Sequence, residues 1–140
     1  MGVEIDVTYE GDLHCTAAHG PSKQRLMTDA PVDNGGRGEA FSPTDLVATG
    51  LGTCTATIMG LAAKRHGWDV AGARVHVVKE MTAAGTRRIA SLKATVTLPQ
   101  TARLSEADRK RLEQAVKSCP VQQSLHPDVK VTMEFIYPSA

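Results

Sequence analysis

A chain of 140 residues with a formal charge of +1 is expected to form one domain, residues 1–140, with a core of its own, and its evenly mixed charges argue against nucleic acid or an anionic membrane surface as partner. Aromatic residues make up 4% of the chain, too few for a base-stacking platform. The opening MGVEIDVTYE has acids where a signal peptide needs a basic and then an apolar segment, which predicts a cytoplasmic protein.

From Val3 to Tyr9 the alternation VEIDVTY predicts a half-buried strand. Glu10-Gly11-Asp12 supplies a turn, and Leu13 to Ala17 returns as the second arm of a hairpin. A further turn at His19-Gly20-Pro21-Ser22 leads to a short strand through Gln24, Leu26 and Thr28. Asp29 to Phe41 is rich in Gly, Pro and Asp and has no apolar period, so it reads as a loop before the next element.

That element is a helix from Ser42 to Gly67. Ser42 and Asp45 have capping-box spacing, Pro43 suits the first helical position, and Lys64, Arg65, His66 and Gly67 suit its end. The run Leu46 to Ala63 is uncharged and has no narrow apolar stripe, which predicts a central helix buried on all sides. It is long enough for a short membrane span, but its Gly and Thr residues make it only weakly apolar. They favour close packing against a sheet, over roughly 35 Å of helix.

Ala73 to Met81 and Arg88 to Leu98 read as strands joined at Ala83-Ala84-Gly85, with a slip near Ser91 that suggests a bulge. Ser105 caps an amphipathic helix, Glu106 to Ser118, with Asp108 as its box partner and Leu104 placed as a hydrophobic staple. After Cys119-Pro120 comes one more helical turn, Val121 to Leu125, and then a strand on Val129, Val131, Met133 and Phe135. The order predicts an α+β fold with a mainly antiparallel sheet, a long central helix and a second helix. A chain this short cannot cover that helix on every side, which predicts a homodimer.

Cys15, Cys54 and Cys119 are an odd number of cysteines in a reducing compartment, which points away from structural disulfides and toward a redox or catalytic thiol. Cys119 precedes Pro120 at a helix start, where free amides favour thiolate, so it reads locally as the more activated one. Cys54 lies in mid-helix and Cys15 beside His14 in a hairpin; taken alone, Cys54 reads as an inert buried thiol and Cys15 as structural or incidental. His126 is a candidate partner for Cys119 in a Cys-His hydrolase. No Cys-x-x-Cys or His-x-x-x-His pair is present, so neither a metal nor a bound cofactor is expected. Gly35-Gly36-Arg37-Gly38 is a poor phosphate loop, but Arg37 is a candidate cation near the start of the thiol-bearing helix.

The runs FSPTDLVATGLGTCTA, KSCPVQQSL and VKVTMEFIY together resemble the OsmC/Ohr family of osmotically induced and organic-hydroperoxide-resistance proteins, from the glycine-rich loop to the last strand. The resemblance implies an intertwined α+β homodimer with sites at the subunit interface. It implies a thiol peroxidase acting on organic hydroperoxides, with Cys54 attacking, Cys119 resolving and an external dithiol or lipoyl-type reductant. Active members carry a glutamate directly after the helix-starting proline, where this chain has Thr44 followed by Asp45. The arginine of the peroxidase branch is also missing from the early hairpin, which leaves Arg37, Arg25 or Glu39 as substitutes. A binding protein on the same fold, without turnover, is the alternative.

Overall fold

The computed structural model of the protein describes residues 2–139. It is an α+β chain that falls into two compact units, Met1–Val47 and Ala48–Ala140.

The first unit is an antiparallel sheet of β1 (Ile5–Gly11), β2 (His14–His19) and β3 (Arg25–Asp29) in sequential order. Gly11, Asp12 and Leu13 all have positive φ in the first turn, and the register shifts between Tyr9 and Gly11. The expected half-buried strand corresponds to β1, yet within this chain it is covered on neither face. Ile5, Val7 and Tyr9, which share one face, are 62%, 63% and 64% exposed.

The glycine-rich connection after β3 is more ordered than its composition suggests. Val32–Asn34 makes a 3-10 turn, and Gly35 and Gly38 take positive φ. Gly36 lies so close to Ala30 that an added Cβ would sit 1.7 Å from the Ala30 carbonyl oxygen. Only glycine fits there.

Helix α1 (Pro43–His66) begins with the expected box: Asp45 N–H donates to Ser42 Oγ at 3.1 Å, and Ser42 N–H donates to Asp45 Oδ2 at 2.9 Å. At its other end Gly67 takes φ 74° and Trp68 N–H closes on the Ala63 carbonyl at 3.0 Å. The expectation of burial on all sides does not hold within one chain. Ala48, Leu51, Thr55, Met59, Ala62 and Ala63 form a buried stripe, whereas Thr49, Thr53, Thr57 and Leu61 are exposed. The physical reason is that the sheet covers one side only. On the open side Thr53 and Thr57 turn their hydroxyls back onto the carbonyls four residues earlier, at 2.9 and 2.8 Å. By length and composition alone the helix is long and apolar enough to cross a membrane, a test that the core helix of a soluble protein passes as well.

In the second unit β4 (Arg74–Met81) pairs antiparallel with β5 (Ile89–Thr97), and β5 pairs parallel with β6 (Lys130–Ile136). The crossover between β5 and β6 carries α2 (Glu106–Val116) and α3 (Pro120–Ser124). The expected slip near Ser91 appears as a register shift: Glu80 pairs with Ser91 and Met81 with Ile89, leaving Ala90 as the extra residue. Leu92, Ala94 and Val96 make one face of the central strand β5 fully buried, while Lys93 and Thr97 on the other face are exposed. Met59 of α1, Val96, Leu98, Ala102, Leu104, Leu112 and Val116 form one core. Gly52 lets α1 approach β4, since a Cβ there would stand 3.2 Å from Val77 Cγ2. Ser105 caps α2 by accepting from Asp108 N–H at 3.1 Å.

Candidate functional site

Two of the sequence-predicted site residues meet in the second unit. Cys54 lies midway along α1 and is half-buried; Cys119 is the N-cap of α3 and is fully buried, with Pro120 in the first helical position. Gly50, one helical turn before Cys54, faces Val121 of α3: a Cβ at Gly50 would stand 3.9 Å from both Val121 methyls, in ordinary contact. The Cys54 and Cys119 side chains lie within hydrogen-bonding reach of each other, and both thiols are free.

The local expectation that the helix start would activate Cys119 is reversed. Burial pushes the Cys119 thiol above its ordinary value, and the hydrogen bond its S–H donates to Cys54, together with the negative charge of Cys54, pushes it further. The Gln122 and Val121 amides act in the opposite direction, but neither makes a capping hydrogen bond to the sulfur. Desolvation outweighs a single helical turn, because five residues supply few aligned amides. Burial thus favours the neutral thiol at Cys119, and Cys54 is the more exposed of the two.

The other candidates fall elsewhere. His126 is exposed and its Nδ1 accepts from Asp128 N–H at 3.0 Å, so it is engaged with its own turn. Cys15 pairs in register with Tyr9 and Thr28 inside the first sheet. Arg37 is exposed between Gly36 and Gly38 in the first unit. It lines a cavity of about 430 Å³ together with Glu10, Asp12, His14, Asp29 and Glu39. Arg25 and Glu39 are likewise exposed. Thr44 Oγ1 lies 3.2 Å from Ser42 Oγ, and one Asp45 oxygen serves the capping box. No group of three or more His, Cys, Asp or Glu side chains suited to a metal occurs among the described residues.

No local pattern in the chain signals the His14–Asp29 pair. Its Nδ1 to Oδ1 distance is 2.6 Å, and it holds the Asp29 carboxyl below the usual carboxylate range despite burial. The signal that could have found it is cross-strand register, because the two residues face each other in β2 and β3.

A family model described as OsmC-like protein matches residues 36–134. A crystal structure from Psychrobacter arcticus 273-4, of a protein described as an osmotic stress induced and detoxification response protein, is 41% identical. It matches over 94% of this chain and 93% of its own, with a TM-score of 0.88. An OsmC-like protein from Mycoplasma pneumoniae shares the fold at 16% identity and a TM-score of 0.81, over 99% of both chains. An organic hydroperoxide resistance protein OsmC from Legionella pneumophila does so at 14% identity and 0.76, over 97% of both. No curated protein matches the chain.

Proposed function

Because this chain belongs to the OsmC-like family, we propose that it is a cysteine-based peroxidase that reduces organic hydroperoxides through Cys54 and Cys119. The observation that carries the reading is the approach of a half-open thiol to a buried one. The Cys54 thiolate attacks the distal oxygen of ROOH, the O–O bond breaks, and the leaving alkoxide takes a proton to give ROH. Cys54 is left as a sulfenic acid. The Cys119 sulfur then displaces hydroxide from it, which leaves with a proton as water and forms the Cys54–Cys119 disulfide. An external dithiol of lipoyl type restores both thiols by exchange and becomes the disulfide.

The order of events follows from the electrostatics. Ionised Cys54 raises the cost of ionising Cys119; once Cys54 has become an uncharged sulfenic acid that repulsion is gone and burial alone opposes. The resolving thiol is thus kept quiet until it is needed. Arg37 serves as the cation that favours the Cys54 thiolate in this reading, and the working unit is a cytoplasmic homodimer. The uncovered face of β1 supports the dimer, since it is apolar and unpartnered within one chain.

Thr44 supports a second reading, a binding protein that holds a small apolar ligand or thiol without turnover. The position after Pro43 carries no carboxylate, and Asp45 is engaged in the helix cap. Reduction of cumene hydroperoxide with dihydrolipoamide separates the two. The peroxidase reading expects turnover that Cys54→Ser abolishes; turnover that survives in Cys54→Ser overturns it, and ligand binding with no peroxide consumption favours the second reading.

A further inference from the structure

The glycine-rich loop that presents Arg37 is tied to the buried Asp29 carboxylate and to the backbone beside it. Asp29 is 4% exposed, and both of its carboxyl oxygens have partners. Oδ1 meets His14 Nδ1 at 2.6 Å, across the β2–β3 register, and Oδ2 accepts from Glu39 N–H at 3.2 Å. The backbone of the same residue donates to the Phe41 carbonyl at 3.1 Å. Its neighbour Ala30 donates to the Leu13 carbonyl at 3.1 Å and accepts from Gly38 N–H at 3.3 Å. The loop leaves the sheet at Asp29 and returns to the same residue, with Arg37 between the two close contacts at Gly36 and Gly38.

A carboxylate in that position is costly unless its charge is matched and its oxygens are bonded. His14 bonds one oxygen of that carboxylate and so fixes the other, which grips the loop. Its Nε2 stands 3.5 Å from Glu10 Oε1, so the ring is held from both sides. The three side chains and Arg37 line one cavity.

We propose that His14 and Asp29 are positioning residues that fix the glycine-rich loop, and with it the place of the Arg37 guanidinium. The consequence for catalysis rests on the reading of Arg37 as the cation for Cys54. Neither residue touches the reacting sulfur; both act through the loop.

Two measurements test this separately. Amide hydrogen exchange over residues 30–41 reads the loop without reference to catalysis. His14→Leu removes the donor and is expected to speed exchange at Gly38 and Glu39 at least about tenfold, leaving β4 to β6 unchanged. His14→Asn, which can present a donor near the place of Nδ1, is expected to restore protection. Asp29→Asn gives the same loosening where the variant folds; the His14 variants, on a side chain 26% exposed, keep the test open where it does not. Unchanged exchange in His14→Leu overturns the brace. The second readout is the pH profile of Cys54 alkylation. His14→Leu and Arg37→Gln are expected to shift it in the same direction, with no further shift in the double variant. A loosened loop with an unshifted profile in His14→Leu, while Arg37→Gln shifts it, overturns the positioning role. An unshifted profile in Arg37→Gln itself overturns the reading of Arg37 and leaves the brace to be judged by exchange alone.

Discussion

The thiols of Cys54 and Cys119 lie within hydrogen-bonding reach of each other, one offered from the middle of α1 and the other from the cap of α3. In the proposed cycle they divide the labour, so removing the buried one should not stop the first chemical step. Cys119→Ser is expected to consume one equivalent of hydroperoxide per Cys54 and then stall. Steady turnover with a dithiol should drop by roughly tenfold or more, and a dimedone adduct at Cys54 should appear by mass spectrometry. A Cys119→Ser protein that turns over at the normal rate would show that the external thiol attacks the sulfenic acid directly.

Alkaline pH should weaken the fold through two groups. Burial and Cys54 raise the Cys119 thiol above 9.0, and burial, aided by Glu113, pushes Tyr137 from 10.0 up to about 12 against the opposing Arg109. In each case the unfolded chain releases its proton first, so stability is complete below the unfolded value and is lost as pH rises through the folded one. Denaturant midpoints are therefore expected to fall from about pH 9 upward. Tyr137→Phe should flatten the part of the decline between 10 and 12, and Cys119→Ser the earlier part. A midpoint that is flat from pH 9 to 11 would contradict both shifts.

How far the sequence could be read depended on how local each cause was. The capping box at Ser42, the Ser105 cap and the Cys119-Pro120 helix start were legible because each is written within a few residues. The Ala90 bulge was visible as a slip in alternation. The activation of Cys119 was misjudged because burial comes from packing, which a five-residue window does not contain. The even polarity of α1 predicted all-round burial, whereas one chain supplies cover for one stripe. The meeting of Cys54 with Cys119 joins residues far apart in the chain through the packing of α1 against α3, and only the family resemblance pointed to it. His14 and Asp29 were missed because register joins them.

Two glycines should respond differently to the same added methyl. At Gly36 the new Cβ would fall 1.7 Å from the Ala30 carbonyl oxygen, a backbone atom that cannot move without opening the loop. Gly36→Ala is expected to cost several kcal/mol, or about 3 kcal/mol or more by analogy with other large steric insertions, or to displace the Arg37 loop. At Gly52 the contact is 3.2 Å to the end of Val77, which can shift by a few tenths of an ångström. There the gain of roughly 1 kcal/mol in helix propensity offsets the crowding, and Gly52→Ala should change stability by less than about 1 kcal/mol. Urea unfolding of the two variants beside the parent decides the matter; equal effects at the two sites would contradict it.

The apolar face of β1 bears on assembly. Ile5, Val7 and Tyr9 alternate onto one side of the strand, each more than 60% exposed, with Val3 at 63% extending the row. A row of this kind on a sheet exposes far more apolar surface than scattered single residues do, and water penalises each buried-type side chain left open by about 1.5–3 kcal/mol. In the proposed homodimer this face is covered by the second copy. Sedimentation of the parent protein should then give a dimer at micromolar concentration, and Val7→Lys should shift it to monomer while the helical circular dichroism signal persists. Loss of peroxide turnover in the same variant would tie the assembly to the site. A parent protein that sediments as a monomer would remove the dimer from the proposal and leave β1 in need of another cover.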